Sequence, residues 1–471
     1  MFKKDTIAAI STGMTNSGIG IVRISGDEAL GVIDRIYKGK QVLSQVPSHT
    51  IHYGHIVDGE ETIDEVLVTI MKAPRTFTGE DTVEINCHGG VFVVKKILET
   101  TLKYGARPAD PGEFTKRAFL NGKMDLSQAE AVIDVIHSKN EFALKSSISQ
   151  LKGSIKEKIG KIREEIIYHT AFIETALDDP EHISVDGYGE KLAVIVNELI
   201  QELQELIDSS KNGRIIKEGI QTVILGKPNA GKSSLLNVLS GRERAIVTDI
   251  EGTTRDVLEE QVQIRGLNLN IIDTAGIRDT KDVVEKIGVD KAKEYAEEAD
   301  LIIYVADASR KLDENDQEIM QLIQGKKAII LLNKTDLPTV LDKEHLLCLL
   351  QEYQKKEETE YLEEKTFPIL EISAKEERGI RKFEDLLTEM FLGGNISFND
   401  EVYITNLRQK TALQDAVVSL KKVLDSIENQ MPEDFYSIDL MDAYEALGSI
   451  TGETVGEDLV NEIFSKFCMG K

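Results

Sequence analysis

The spacing of hydrophobic and polar positions changes character several times along this chain. Between residues 6 and 122 the apolar positions fall in short runs. Residues 19–25, 49–57, 65–71 and 82–86 each read as a strand bounded by Gly, Asp or Pro turns. Helical spacing there is confined to 27–37 and 91–104. The mixture predicts an α+β domain over residues 1–121. From Asp125 the period becomes helical. Ser127 with Glu130 three residues on matches a capping box, and amphipathic stretches run through Thr175 and again over 189–209. Asp178-Asp179-Pro180 interrupts them. Residues 217–395 then alternate apolar strands with helices, and after Gly393-Gly394 long helical patterns return over 405–429, 437–448 and 456–467.

A helical segment (122–216) therefore precedes the alternating region, and another (396–471) follows it. Each has an apolar face to bury and neither is large, so they are expected to pack together as one bundle. The α/β domain of 217–395 would then be an insertion in it; two separate small bundles are the other arrangement. The expected fold class is multi-domain α/β, comprising an N-terminal α+β domain, a helical domain in two parts, and the inserted domain.

The inserted region carries the clearest chemistry. Residues 222–225 read as a buried strand, and 234–239 continue as a helix. Between them, Gly226-Lys227-Pro228-Asn229-Ala230-Gly231-Lys232-Ser233 fits G-x-x-x-x-G-K-[ST], and Ser234 follows. Glycines let backbone N–H groups turn toward phosphate oxygens, and the helix N-terminus adds partial positive charge. Lys232 is expected at the β- and γ-phosphates and the Ser233 hydroxyl on Mg²⁺. Strand 269–272 ends in Asp273-Thr274-Ala275-Gly276, where the Asp suits Mg²⁺ and the Gly lets backbone approach the γ-phosphate. Strand 328–332 runs into Asn333-Lys334-Thr335-Asp336. The Asp336 carboxylate accepts from guanine N1 and N2, donors that adenine lacks. Ser373-Ala374-Lys375 follows strand 368–372. Together these motifs specify GTP.

Composition narrows the class. At 471 residues the chain suggests about three domains, and 41% hydrophobic with 29% charged residues is a globular balance. No apolar run approaches the roughly 18 residues of a membrane span, and residues 1–10 contain no signal-like apolar core. Three widely spaced cysteines, Cys87, Cys348 and Cys468, suggest neither a disulfide framework nor a zinc site. A reducing cytoplasm is the expected location. The net charge of −26 argues against a broad nucleic-acid footprint. Only residues 1–121 are near neutral, so a nucleic-acid partner would use a local patch or bind through another protein.

Five motifs in order make residues 222–392 similar to the translation-factor-related branch of P-loop GTPases, with Gly252-Thr253-Thr254-Arg255-Asp256 as its switch I motif. With Phe77-Thr78-Gly79-Glu80-Asp81 and the terminal Cys468-Met469-Gly470-Lys471, the whole chain resembles the MnmE/TrmE family of tRNA modification GTPases. The resemblance implies that switch I (Thr248, Asp249, Ile250, Glu251, Gly252, Thr253, Thr254) binds the nucleotide, with Thr254 as second Mg²⁺ ligand. Ile277 follows D-T-A-G where Ras-type enzymes carry a water-positioning Gln. The family uses instead a K⁺ held by the phosphate-loop asparagine and switch I, here Asn229, Thr248, Ile250 and Thr253. It also uses a switch II glutamate, here Glu285; spacing alone would make Glu285 a solvated carboxylate at a helix N-terminus. Arg255 and Arg278 are further candidate cations near the switches, or simply surface ion pairs.

The resemblance also implies a homodimer formed by the N-terminal domain, which is similar to folate-binding domains. It implies a 5-formyl-tetrahydrofolate site at Arg23, Glu84, Lys123 and Lys471. Cys468 is either a packed thiol or a nucleophile beside the folate. Family members usually carry a β-branched or leucine residue at Met469, a swap that conserves apolar volume. The implied activity is K⁺-activated GTP hydrolysis. With a flavin-dependent partner protein in a heterotetramer, and with folate carbon, it serves modification at C5 of the wobble uridine (position 34) of certain tRNAs. Two alternatives stand beside this. A ribosome-assembly GTPase would add an RNA-binding module, which the acidic, helical residues 396–471 do not resemble. A non-catalytic GTP-dependent switch would bind but not turn over.

Overall fold

The computed structural model describes residues 5–184, 187–242, 259–272, 294–354, 367–392, 404–467 and 470. The chain divides into two compact units, one of residues 1–137, 147–205 and 407–471, the other of 138–146 and 206–406.

The first unit opens with a mixed sheet built from β1 (Ile7–Ile10), β2 (Gly20–Ser25), β3 (Tyr37–Gly39), β4 (Thr50–Asp58), β5 (Glu61–Met71), β6 (Thr82–Cys87) and β7 (Arg107–Pro108). Its order is β3-β4-β5-β6-β2-β1-β7, antiparallel except for the β1–β7 pair. Strand alternation decides the two faces. Val22, Ile24, Val68, Ile70, Val83 and Ile85 point into the core beneath α1 (Ala29–Ile36) and α2 (Val91–Lys103). Arg23 and Glu84, one position out of phase, share the other face as direct cross-strand partners. The expected strands are present with shifted ends. β1, β3 and β7 are additions, too short or too polar in pattern to stand out.

Helices α3 (Glu113–Leu120), α4 (Leu126–His137), α5 (Glu141–Leu151), α6 (Ser154–Asp178) and α7 (Tyr188–Glu218) follow. The start of α4 corrects the expected capping box. Ser127 lies inside the helix, and the reciprocal pair is Asp125 with Gln128. Asp125 Oδ1 accepts from the Gln128 N–H at 2.9 Å, and Gln128 Oε1 accepts from the Asp125 N–H at 3.0 Å. Asp125 outcompetes Ser127 because its carboxylate, one residue outside the helix, reaches the first-turn donors. Glu130 is released for a different task, described below.

In the second unit the sheet runs β13-β12-β11-β8-β10-β9. Its strands are β8 (Ile220–Leu225), β9 (Glu259–Ile264), β10 (Leu267–Ile272), β11 (Leu301–Asp307), β12 (Ala328–Asn333) and β13 (Ile369–Glu371). All pairs are parallel except β9–β10. Helices α8 (Lys232–Arg242), α9 (Glu314–Leu322), α10 (Lys343–Gln354) and α11 (Ile380–Leu392) connect them. Apolar clusters lie on both faces, which is why β8, β11 and β12 read as continuous hydrophobic runs.

The helices after this domain, α12 (Leu407–Glu428), α13 (Glu433–Thr451) and α14 (Glu457–Ser465), return to the first unit. There α13 packs on both α12 and α6. Ile159, Ile162 and Ile166 of α6, Leu413 and Leu420 of α12, and Leu440 and Leu447 of α13 are all buried. The helical segments before and after the α/β domain thus form one bundle. Glu130 contributes to it: its buried carboxylate accepts from Arg408 Nε and Nη2, each at 2.9 Å, and from Gln409 Nε2 at 2.8 Å. Among the described residues no helix is long and apolar enough to cross a membrane.

Candidate functional site

Parallel strands deliver their loops to one edge of a sheet, and the motif residues collect at the carboxyl ends of β8, β12 and β13. After β8 the backbone enters the left-handed region at Gly226 (φ 148°), Asn229 (φ 62°) and Gly231 (φ 104°). Two of these positions exclude any side chain. A Cβ on Gly226 would stand 2.4 Å from the Val305 carbonyl oxygen, and one on Gly231 would stand 2.0 Å from Asn333 Nδ2. The loop then feeds α8. Lys232 is buried, with its ammonium donating to the carbonyls of Gly226 and, at 2.9 Å, Lys227. The cation is thus held inside the loop beside the helix N-terminus, where phosphate is electrostatically favoured. Asn229 stands exposed on the loop.

Asn333 joins three loops. Only 2% exposed, it donates from Nδ2 to the Ala230 carbonyl at 2.8 Å, while its Oδ1 accepts from the Ala374 N–H at 2.9 Å. It therefore ties the phosphate loop to Ser373-Ala374-Lys375. Asp336 Oδ1 accepts from the Ser373 hydroxyl at 2.7 Å, and that bond, opposed by partial burial, holds the carboxyl below its ordinary pKa. Ionised, Asp336 is an acceptor only. Lys334, at φ 67°, donates to Asp307 Oδ2 at 2.7 Å. Burial pushes Asp307 up, but Lys334 and Ser309 together hold it below the usual carboxylate range.

Some participants were not legible beforehand. Asp307 closes the apolar run of β11, and a strand-end carboxylate was the only signal for it. Lys227 is tethered to Asp313, at 2.6 Å, and to the buried Asp316, which also accepts from Tyr304 at 2.8 Å. Burial pulls Lys227 down, but the two carboxylates outweigh it and raise its pKa. This cluster steadies the phosphate loop from the side of α9.

Thr248, Asp249, Ile250, Glu251, Gly252, Thr253, Thr254, Arg255, Asp273, Thr274, Ala275, Gly276, Ile277, Arg278 and Glu285 lie outside the described residues, as do Cys468 and Lys471. Of the expected GTP and Mg²⁺ residues, the structure gathers Asn229, Ala230, Gly231, Lys232, Ser233 and Ser234 on one loop and helix start. It sets Asn333, Lys334, Asp336, Ser373, Ala374 and Lys375 beside them. The donor chemistry fits a nucleoside triphosphate with its metal, including the Ser233 hydroxyl at the head of α8.

In the first unit, Arg23 donates to Glu84 Oε1 from Nε at 2.9 Å, with Nη2 at 2.8 Å from the same oxygen. Its Nη1 donates to the Gly470 carbonyl at 3.3 Å. Lys123 is placed elsewhere: its Nζ donates to the Pro74 carbonyl at 3.0 Å. It lines a cleft of about 1480 Å³ with Gly79, Glu80, Arg117, Asn121 and Phe464, of which Arg23 and Glu84 are not part. Within that cleft Arg117 pairs with Asp5 at 2.8 Å, Glu113 at 2.9 Å and Glu80 at 3.1 Å. The Glu80 of the F-T-G-E-D motif is therefore a partner of Arg117.

A Gly-shaped phosphate loop on a mostly parallel sheet, with an ionised aspartate beside Ser373, defines a P-loop GTPase domain carried by a chain with two further folded parts. Residues 6–123 match the family model described as GTP-binding protein TrmE N-terminus, and residues 126–468 match that of the MnmE helical domain. A protein of Lachnoclostridium phytofermentans named tRNA modification GTPase MnmE is 61% identical over 472 residues, covering 100% of both chains. Proteins of that name from Acetivibrio thermocellus and Alkaliphilus oremlandii are 50% and 48% identical, also over 100% of each chain. The chain belongs to the MnmE family of tRNA modification GTPases.

Proposed function

We propose that this protein hydrolyses GTP in the cytoplasm as part of tRNA modification, with K⁺ as the activating cation. The observation that carries the reading is the clamp between the phosphate loop and the loop of Ser373-Ala374-Lys375. Asn333 bridges Ala230 and Ala374, and Asp336 is kept ionised beside Ser373. We read the chain as an N-terminal domain (1–121), a helical domain (122–216 and 396–471) and the inserted GTPase domain (217–395). Asn229, exposed at φ 62° on the loop, is available as a K⁺ ligand with Thr248, Ile250 and Thr253. K⁺ would offset charge developing between the β- and γ-phosphates, the task a Ras-type enzyme gives to an arginine. Ser233 and Thr254 would hold Mg²⁺, Glu285 would orient water, and Lys232 would stabilise the phosphates, with Arg255 nearby.

The wider reading has a homodimer acting on tRNA with a flavin-dependent partner and 5-formyl-tetrahydrofolate as carbon source for C5 of uridine 34. Arg23, Glu84, Lys123 and Lys471, with Cys468 close by, are the folate residues of this reading. The pairing of Arg23 with Glu84 beside Gly470 supports a polar site at that sheet face; the separate placement of Lys123 makes it the residue to test first. Steady-state GTP hydrolysis in K⁺ against Na⁺ tests the core of the proposal. Turnover in K⁺ should exceed that in Na⁺ by at least about tenfold, the effect of a well-placed cation on a phosphoryl-transfer barrier. Equal rates in the two salts would sink the K⁺ assignment. Glu285→Ala should lower kcat while leaving GTP affinity nearly unchanged.

A further inference from the structure

Lys227, the second residue of the phosphate loop, is engaged on two sides. Its carbonyl accepts from the Lys232 ammonium at 2.9 Å and from the Ala230 N–H at 3.2 Å. Its own ammonium points away from the loop to two carboxylates at the start of α9, Asp313 at 2.6 Å and Asp316. These two are unequal. The Asp313 side chain is 58% exposed, where an ion pair contributes little, whereas that of Asp316 is 6% exposed. Asp316 is itself fixed from two further directions. Its Oδ1 accepts from the Tyr304 hydroxyl at 2.8 Å, and its Oδ2 accepts from the Asp313 N–H at 3.0 Å, closing the capping box of α9. Tyr304 is fully buried in β11. Burial, and after it the Asp316 charge, pushes the phenol pKa up, so Tyr304 stays a donor. Contacts therefore run unbroken from the interior of the sheet, through Asp316 and Lys227, to the ammonium of Lys232.

We propose that Asp316 and Lys227 are positioning residues for phosphate binding, fixing Lys232 and the arc Pro228-Asn229-Ala230 before nucleotide arrives. The backbone at Asn229 and Gly231 stands in the left-handed region, at φ 62° and 104°. For a residue with a side chain, such backbone persists only where its surroundings over-determine it. Asn333 ties the loop at Ala230, and Asp316 ties it at Lys227, so Pro228-Asn229 is held from both sides. With both ties in place, less ordering is left for binding to supply. Lys227 then acts through its carbonyl, which sets where the Lys232 ammonium waits. The inference rests on the nucleotide reading of this loop and is independent of the K⁺ assignment.

The test is titration of the full-length chain with a fluorescent GDP analogue, followed by displacement with unlabelled GDP and with GMP. GMP lacks the β-phosphate at which Lys232 is expected, so it reports the site without that contact. Lys227→Met, which removes the charge and keeps an unbranched side chain, should raise the GDP Kd at least about tenfold, the worth of one charge-assisted hydrogen bond. Its GMP Kd should move less than about twofold. A residue that only kept the domain folded would weaken both nucleotides alike. Asp316→Asn, which can still accept from Tyr304, should repeat the pattern. Combining the two substitutions should add less than about twofold to either alone, because they remove one contact. Lys227→Arg keeps the charge and should stay within about threefold of the parent; a loss as large as that of Lys227→Met would count against the ion pair as the cause. A GDP Kd for Lys227→Met within about twofold of the parent, equal weakening of GDP and GMP, or single effects that multiply in the double variant would each overturn the inference. Lys227→Met carries the test alone if Asp316→Asn does not fold. A parent that binds no GDP would remove the nucleotide reading and this inference with it, whereas a parent that binds and variants that match it remove the inference only.

Discussion

Asn333→Ala tests how much of nucleotide affinity comes from a residue whose described side-chain bonds are both to protein. Its amide satisfies two backbone groups, the Ala230 carbonyl at 2.8 Å and the Ala374 N–H at 2.9 Å, from a side chain only 2% exposed. Removing it leaves one buried acceptor and one buried donor without partners, at about 1–3 kcal/mol each. The vacated space borders an open site, so water can enter and the combined cost falls toward the low end, about 2–3 kcal/mol. In the free variant the two loops are no longer joined, and binding must supply the ordering that the parent already has. At 1.4 kcal/mol per decade, the Kd for a fluorescent GDP analogue should rise about 30- to 150-fold. Fluorescence titration against the parent measures it, with far-UV circular dichroism confirming that the variant is folded. A Kd within about threefold of the parent, under 1 kcal/mol, would show that the clamp contributes little and that the loops are held by something else.

Three further outcomes follow from the same geometry. Gly231→Ala places a methyl 2.0 Å from Asn333 Nδ2 at φ 104°, and GDP affinity should fall about 10- to 100-fold in the same titration. Glu130→Ala leaves the Arg408 guanidinium without its carboxylate. Breaking such a pair costs about 3–5 kcal/mol, and the Ser449 and Ile450 carbonyls, which still accept from Arg408, keep the loss near the lower figure. Native-state hydrogen exchange of amides in 407–428 should record that loss, whereas a change below about 1 kcal/mol would refute it. His88, hydrogen-bonded to Asp64 at 2.8 Å, has its pKa raised by that bond and by the carboxylate's charge. Its contribution is full below the unfolded pKa and disappears as pH rises through the higher folded value. An NMR titration should place the His88 midpoint above that of an ordinary histidine, and Asp64→Asn should return it there.

Much of the nucleotide site was legible because its signals are local. A strand, a glycine-bearing loop with Lys232 and Ser233, and a helix occupy one short stretch whose backbone demands are written in its residue types. The same holds for Asn333-Lys334-Thr335-Asp336 at the end of an apolar strand. The expectation of one helical bundle also followed from local periodicity, since two amphipathic segments each had a face to bury. Tertiary structure decided the rest, because partners distant in sequence compete for the same side chain. Glu130 reads as a capping residue for Ser127, yet Arg408, 278 residues away, claims it, and Asp125 caps the helix instead. Arg23 is placed in a folate site by the resemblance alone, while folding gives it Glu84 and the carbonyl of Gly470, 447 residues away. Lys227 fills an arbitrary position in the phosphate-loop motif until α9 brings Asp313 and Asp316 to it. Residue types and spacing determine which groups are available and where the backbone must bend. Which charge meets which is settled only when burial removes water as the alternative partner.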